Sequence, residues 1–279
     1  MKTLTIGHSP DADDAFMFYA FAREKVTIDG YKIDHVMEDI ESLNHRALRG
    51  ELDVTAISAA VYPQVAGDYR IMACGASVGR NYGPMLLCKE NVCLGDLAGR
   101  RIAIPGTHTT AYLLFRLYMT DVFQPVMLPF DAIMPAIVDG EVDAGVIIHE
   151  AQLTWKDSGL FRILDLGEAW MQDTGLPIPL GLDCIHRRFD EPMQAKIAAG
   201  MEASIVYARE NEEDAVDYAM EFGRGIDRNT CRDFIRMYVN DDTVNMREEG
   251  KQALELLFTR AAGRGIIDES PPLDIIGLK

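Results

Sequence analysis

The sequence lacks the features that would place the protein in a membrane or on a nucleic acid. No run reaches the roughly 18 consecutive apolar residues that a membrane span needs. Only 27 of the 279 residues are Lys or Arg, against 44 Asp or Glu, so the net charge is −17. Nucleic acids and anionic membranes are bound by basic faces, and this acidity argues against both as partners.

Cysteine-based and metal-binding patterns are equally scarce. The five cysteines form no C-x-x-C pair, and Cys88 and Cys93 have no neighbouring His with which to hold zinc. The acidic clusters around residues 11–14 and 38–41 do not follow an EF-hand spacing. There is also no P-loop and no G-x-G-x-x-G motif. These absences predict no metal and no cofactor, and reduced thiols without an N-terminal signal segment predict a cytoplasmic protein.

What is present is an alternation of short apolar runs with helical stretches over the first 185 residues or so. The length fits about two domains. The predicted strands are 3–7, 53–57, 71–75, 84–89, 101–104, 126–129, 144–148 and 161–166. The predicted helices are 11–22, 41–49, 110–120, 132–139, 190–222, 228–238 and 246–263. Strands that alternate with helices favour an α/β fold with a largely parallel sheet covered on both faces.

A short internal repeat suggests two similar α/β lobes. Residues 47–54 resemble residues 137–144, since both run from a helix end through Gly, Glu and Asp into a buried strand. The alternative is convergent capping of two unrelated helix-to-strand turns. If the repeat is real, Ser58 and Ile148 end equivalent strands. Ligands of open α/β sheets bind beyond such ends, so His149 would lie at the mouth of a cleft between the lobes.

Two strand-to-helix turns are candidate binding segments. The segment Pro105–Tyr112 contains three Thr and one His before a predicted helix, and the hydroxyls and amides of Thr109 and Thr110 suit an anion. Plain helix capping is the competing interpretation. The segment Ser9–Asp14 also fits a helix start, with Ser9 as N-cap, and its acidic turn suits sugar hydroxyls better than an anion.

His149 is the candidate general base, because a titratable side chain directly after a buried strand suits proton transfer near neutral pH. His8 and His108 also follow strands and are weaker candidates, whereas His35, His45 and His186 fit surface or packing positions. Arg80, in a loop that enters a strand, is a candidate for pairing with a substrate carboxylate. A surface Arg in a turn is the alternative for that residue.

Taken together, these segments resemble the 1,4-dihydroxy-6-naphthoate synthases, which act in the futalosine route to menaquinone. The resemblance runs nearly from end to end of the chain. It is carried by Ser9–Ala20, Glu38–Asn44, Gly79–Pro84, Pro105–Tyr112, Ile147–Glu150, Asp165–Trp170, Thr174–Gly181 and Tyr238–Asn240. Several such blocks in the same order are far more specific than any one of them.

The resemblance implies a two-lobed fold similar to type II periplasmic solute-binding proteins. One lobe would comprise residues 1–90 plus 185–279, and the other residues 91–184. The proton-accepting His of the family maps onto His149, its paired Thr contacts onto Thr109 and Thr110, and a further contact segment onto Ala56, Ile57 and Ser58. The implied reaction is conversion of cyclic dehypoxanthine futalosine, an anionic small molecule, to 1,4-dihydroxy-6-naphthoate without a cofactor.

The chain departs from the family pattern at two places. Asp11-Ala12-Asp13 stands where family members have Cys-Pro-Asn, and Ala56 stands where they have Lys. A lost cation and added carboxylates weaken the attraction for an anionic substrate. The alternative function is therefore a non-catalytic solute-binding protein, or a paralogue of the same fold that binds another small carboxylate.

Overall fold

The computed structural model describes residues 1–222 and 225–279 as a mixed α/β protein built on two sheets. The strands are β1 (Lys2–His8), β2 (Tyr31–Met37), β3 (Val54–Ser58), β4 (Tyr69–Met72), β5 (Ser77–Gly79), β6 (Met85–Cys88), β7 (Arg101–Ile104), β8 (Gln124–Met127), β9 (Ala144–Ile147), β10 (Phe161–Asp165), β11 (Ile178–His186) and β12 (Ile275–Ile276).

The α-helices surround these sheets. They are α1 (Ala12–Ala22), α2 (Ile40–Leu48), α3 (Tyr62–Val65), α4 (Thr110–Tyr118), α5 (Phe130–Asp139), α6 (Ala151–Thr154), α7 (Leu166–Thr174), α8 (Glu191–Glu210), α9 (Glu212–Ala219), α10 (Arg228–Tyr238), α11 (Asp241–Val244) and α12 (Arg247–Gly263). Within the described ranges, no helix combines the length and apolarity needed to cross a bilayer.

Both sheets are mixed, which corrects the expectation of a largely parallel sheet. In the first sheet, of order β12-β4-β11-β3-β1-β2, β1 runs parallel to β2 and β3, while β11 runs antiparallel to β3, β4 and β5. In the second, of order β10-β6-β9-β7-β8, β7 runs parallel to β8 and β9, while β6 is antiparallel to β9 and β10. The strands that run against the others are β11 in the first sheet and β6 in the second, and each is reached from the other sheet rather than through a crossover helix within its own sheet.

The chain crosses between the sheets twice. The first crossing lies between β5, which ends at Gly79, and β6, which begins at Met85 in the other sheet. The return lies between β10, which ends at Asp165, and β11, which begins at Ile178. Both crossings precede the lobe boundaries expected at 90/91 and 184/185. β6 pairs in the second sheet and β11 in the first, and we call the parts of the chain built on these sheets the second and the first lobe. The expected boundaries of the two lobes stay a prediction.

Helix α1 occupies the centre of the first lobe. Each residue from Ala12 to Phe21 is buried, because the helix packs against α8, α9 and α10 as well as against its own sheet. The single helix expected over 190–222 is two helices, since Asn211 leaves the helical conformation at φ −120° and ψ 46°. A helix buried on all sides is held rigidly. The acidic residues of its first turn therefore have fixed positions.

Candidate active site

A cavity lies between the two sheets and is lined by residues of both. Part of its polar wall comes from residues that end or follow strands β1 and β3 of the first sheet and β7 and β9 of the second. The candidate residues that line it are Ser9, Ala56, Ile57, Ser58, Thr109, Thr110 and His149. Ligands of α/β sheets bind at this end of the strands.

His149 lies two residues beyond the end of β9 in a left-handed conformation, with φ of +57°. Such a conformation is uncommon for a residue other than Gly, and its cost of about 1–3 kcal/mol is typical of functional sites. The ring packs against Phe130, with 4.4 Å between the centroids, and its Nδ1 lies 3.2 Å from Oδ2 of Asp11. Its Nε2 is buried and has no hydrogen-bond partner in the described part of the chain. One ring nitrogen is thus held by a carboxylate, and the other is available to a ligand.

Asp11 is the N-cap residue of α1, but its carboxylate makes no capping hydrogen bond. Instead, Oδ2 accepts a short hydrogen bond from the Ser9 hydroxyl and faces the imidazole of His149. Asp11 is only 1% exposed. A buried carboxylate on Nδ1 fixes the tautomer with the proton on that atom, which leaves the Nε2 lone pair as the base. Ser9 was expected to cap α1, but its hydroxyl instead positions the carboxylate of Asp11.

The cavity is unusually acidic. Asp11, Asp13 and Asp14 all line it, and no Lys or Arg of the described residues does. Burial raises the pKa of Asp13 well above its usual range, and the charges of Asp14 and Asp11 raise it further. Burial also raises the pKa of Asp14, and Asp183 behind it adds to the effect. Neighbouring carboxylates in a dry site cannot all ionise, so Asp13 and Asp14 favour the neutral form.

Asp183 lies on β11 and is a buried acid without a compensating cation. Burial raises the pKa of its carboxyl to about 8, and its Oδ2 has no hydrogen-bond partner among the described residues. Gly75 packs directly on this carboxylate, because a Cβ added there would lie 2.0 Å from Oδ2. In the folded protein Asp183 therefore keeps its proton to higher pH than in the unfolded chain, where an Asp carboxyl has its ordinary pKa of about 4.

Replacing Asp183 by Asn is expected to make the protein more stable at pH 8 but not near pH 4. In the wild type the native state keeps the proton while the unfolded state loses it, so the free energy of unfolding falls as pH rises from about 4 to about 8. The isosteric amide removes this dependence, and we expect a gain of about 4–5 kcal/mol at pH 8. Urea unfolding of both proteins at pH 5 and pH 8 measures it. If the two proteins differed in free energy of unfolding by the same amount at both pH values, Asp183 would not be protonated in the native state as described.

Helix α4 presents its N-terminus to the cavity, but the two Thr hydroxyls there have structural partners. The Thr109 hydroxyl donates to the Gly106 carbonyl at 2.9 Å and accepts from the Tyr112 amide. The Thr110 hydroxyl donates to the Leu180 carbonyl of the other lobe at 2.6 Å and accepts from the Ala60 amide. What this turn offers a ligand is therefore its first backbone N–H groups, which have no partner within the helix.

Ser58 ends β3 on the opposite wall of the cavity. Its Oγ accepts a hydrogen bond from the Asn44 side-chain amide at 3.0 Å, and its backbone N–H donates to the same side chain at 2.8 Å. The hydroxyl proton remains available for donation to a ligand. Ala56 and Ile57 add small and apolar surface to this wall.

Arg80 lies outside the cavity lining. Its guanidinium makes two hydrogen bonds to Asp242, at 2.6 and 2.8 Å, and one to Glu249 at 2.6 Å. These carboxylates raise its pKa and hold it in an ion-pair network on the first lobe. The side chain expected to bind a substrate carboxylate is thus occupied by carboxylates of the protein itself, which the local sequence does not indicate.

The two weaker His candidates also have partners of their own. His8 stacks on Phe18, its Nε2 faces His35 at 3.1 Å, and burial lowers its pKa to about 3. His108 Nδ1 lies 2.8 Å from Glu41. Neither lines the cavity, in contrast to His149.

Sequence reasoning missed the part of the wall that comes from distant segments. Gln152 of α6 and Tyr238 of α10 both line the cavity, and the Tyr238 hydroxyl is hydrogen-bonded to the Gln152 side-chain amide at 2.8 Å. The only sequence signal for Tyr238 was its place in the block Tyr238–Asn240. Asp11 was visible as an acidic helix start, but its pairing with a residue 138 positions away was not.

Comparison with known proteins assigns the chain to a family. A family model described as menaquinone biosynthesis matches residues 4–263. A 1,4-dihydroxy-6-naphthoate synthase from Streptomyces coelicolor is 40% identical over 275 residues, covering 97% of this chain and 96% of that protein. The corresponding synthase from Thermus thermophilus is 37% identical over 271 residues, covering 97% and 98%.

Solved structures extend the comparison to the fold. Protein AF1704 from Archaeoglobus fulgidus is 46% identical with a TM-score of 0.91, over 95% of this chain and 98% of that one. The alkanesulfonate-binding protein SsuA from Xanthomonas axonopodis has a TM-score of 0.71 at 15% identity, over 98% and 95%. The latter shows the fold alone, that of the periplasmic-binding-protein-like proteins with two lobes. The chain thus belongs to the menaquinone-biosynthesis family that includes the 1,4-dihydroxy-6-naphthoate synthases.

Proposed function

We propose that the protein is a carbon–carbon lyase that converts cyclic dehypoxanthine futalosine to 1,4-dihydroxy-6-naphthoate, with His149 as general base. The observation that carries the proposal is the Asp11–His149 pair, which faces a cavity between two lobes with Nε2 unoccupied. A binding protein needs only complementary contacts. A carboxylate that fixes a His tautomer instead prepares that His to take a proton.

The proposed step begins with removal of a substrate proton by Nε2 of His149. The electron pair left on the substrate then drives cleavage of the carbon–carbon and carbon–oxygen bonds that join the ring system to the sugar-derived fragment. The released oxygen keeps the electron pair of its bond to carbon, and the His149 imidazolium returns the proton to it. The naphthoate product gains a second aromatic ring, which makes the cleavage favourable. Asp11 stabilises the imidazolium formed in this step, because its carboxylate already contacts Nδ1.

Binding of a carboxylate-bearing substrate must rely on neutral donors. None of the described residues that line the cavity is a cation. The N-terminal amides of α4 and the Ser58 hydroxyl instead direct partial positive charge into the cavity. Asp13 and Asp14 favour the protonated form, and a protonated carboxyl donates a hydrogen bond instead of repelling an anion. We therefore place the substrate carboxylate near α4 and the sugar-derived part near Ser9 and the first turn of α1.

The two lobes approach closely around this cavity. The Thr110 hydroxyl bonds to Leu180, so the second lobe is tied to the first at the cavity wall. Closure of this kind excludes water and strengthens the electrostatic contacts of the bound substrate. We also place the enzyme in the cytoplasm, where five free cysteines, four of them buried, are stable as thiols.

Incubation of the purified protein with cyclic dehypoxanthine futalosine tests the proposal. We expect mass spectrometry to show loss of the substrate and appearance of 1,4-dihydroxy-6-naphthoate without an added metal or organic cofactor. Folded protein that binds the compound, measured by calorimetry, but releases no product would support a solute-binding role. Protein that neither binds nor converts it would indicate a different ligand.

A further inference from the structure

A second group of potential ligands lies at the edge of the cleft, outside the proposed catalytic site. Glu41 and His45 lie four residues apart on one face of α2 in the first lobe, and His108 approaches from the turn before α4 in the second. Glu41 Oε1 lies 2.8 Å from His108 Nδ1 and 3.8 Å from His45 Nε2. One donor atom from each of the three residues lies within 4.8 Å of the others.

This spacing is close to that of a metal site. Ligand atoms at about 2.0–2.1 Å from a tetrahedral zinc ion are roughly 3.3 Å apart, so a shift of about 1 Å in two flexible side chains would form the site. A pair of ligands at positions i and i+4 of a helix, completed by a third from another segment, is the arrangement that zinc proteins use. A donor set of two imidazoles and one carboxylate also suits zinc better than it suits magnesium or calcium.

The surroundings hold the carboxylate in place. Glu41 accepts a hydrogen bond from the His108 backbone amide at 3.2 Å and one from the Thr107 hydroxyl at 3.4 Å. Gly106 allows this approach, because a Cβ at that position would lie 2.5 Å from the Glu41 carboxyl carbon. Contacts of this type orient a metal-binding carboxylate. His45 is half exposed, which leaves a path for an ion and room for a water ligand.

We propose that Glu41, His45 and His108 form a binding site for a divalent transition metal, zinc in the first instance, that links the two lobes at the cleft edge. The protein charge of −17 attracts cations to such a site. Two ligands come from one lobe and the third from the other, so the bound ion stabilises the arrangement in which the lobes meet. The site is independent of the reaction proposed for His149.

Titration of chelator-treated, otherwise intact protein with zinc chloride in a non-coordinating buffer tests this site. We expect saturable binding of one ion per chain, a rise in Tm with zinc, and at least a tenfold weaker Kd in His45→Ala and in His108→Ala. The matched control is His186→Ala, which removes a histidine of the first lobe that belongs to no such cluster in the described chain. It should bind zinc as the wild type does.

Two further measurements separate a metal site from a hydrogen-bonded contact between the lobes. Cobalt(II) should give the visible absorption of a tetrahedral complex in the wild type and lose it in the His45→Ala, His108→Ala double variant. Circular dichroism of the metal-free variants should match the wild type. Zinc binding that is unchanged in the folded double variant, or no saturation below about 100 μM zinc in the wild type, would overturn the proposal.

Discussion

Replacement of His149 by Asn is expected to lower kcat for 1,4-dihydroxy-6-naphthoate formation about 10³-fold and to change the substrate Kd by only a few fold. General base catalysis contributes about 10²–10⁴-fold, and Asn has no basic nitrogen with which to supply it. In the proposed function, the α4 amides and Ser58 bind the substrate, and the substitution leaves them in place. Steady-state kinetics and calorimetric titration with the same substrate measure the two quantities.

Asn is the informative substitution because of the backbone at this position. His149 has φ of +57°, a conformation that Asn tolerates better than Ala does. His149→Ala combines loss of the base with backbone strain, so any loss of Tm beyond that of the Asn variant measures the strain. A folded His149→Asn protein that turns over at the wild-type rate would exclude His149 as the base.

Replacement of Asp11 by Asn is expected to lower kcat about 100-fold or more with little effect on KM. The carboxylate holds the Nδ1 proton of His149 and stabilises the imidazolium, whereas an amide is neutral and can present an N–H to the same nitrogen. An N–H there would move the ring proton to Nε2 and remove the base. Nitrogen-15 NMR of the labelled ring reports which nitrogen carries the proton, and we expect a change of tautomer population in the variant.

Asp13→Asn provides the matched control, since it makes the same substitution two residues away in the same helix turn. Burial raises the pKa of Asp13, which favours its neutral form, and an amide is a close substitute for a neutral carboxyl. We expect kcat to fall less than tenfold and the His149 ring to keep its wild-type tautomer. Equal losses in the Asp11 and Asp13 variants, without a change in the ring spectrum, would show that Asp11 does not position His149.

Local patterns identified the elements that form the floor of the site. The echo between residues 47–54 and 137–144 predicted that Ser58 and Ile148 end equivalent strands. In the structure Ser58 ends β3, Ile148 directly follows β9, and both line one cavity together with His149. Runs of apolar residues bounded by Gly and Asp are local properties, so they can be recognised without the tertiary fold. Strand β11 was not recognised, because its Pro and Gly residues resemble turn signals although its neighbours bury it.

The partners of charged side chains could not be predicted from the local sequence. Asp11 was expected to serve the helix dipole, but it contacts His149, and Arg80 was expected to meet a substrate carboxylate, but it pairs with Asp242. Both partners are more than 130 residues away in the sequence. A side chain with several possible partners takes the one that the fold brings near, and spacing along the chain does not encode that choice.

The overall acidity of the protein has a more specific meaning once the cavity is known. The cavity carries carboxylates and no cation among its described lining residues, and the first turn of α1 supplies three of those carboxylates. In the proposed function, an anionic substrate is received by helix amides, hydroxyls and protonated carboxyls rather than by Lys or Arg. Its binding would then depend on neutralisation of Asp13 and Asp14, whose pKa values burial raises.

The crystal structure of the His149→Asn variant with uncleaved cyclic dehypoxanthine futalosine tests the central claim most directly. We predict the substrate in the cavity between the two sheets, with its carboxylate on the N-terminal amides of α4 and its acidic C–H about 3–3.5 Å from the position of the lost Nε2. A substrate bound outside this cavity, or one whose reacting carbon faces away from residue 149, would contradict the account.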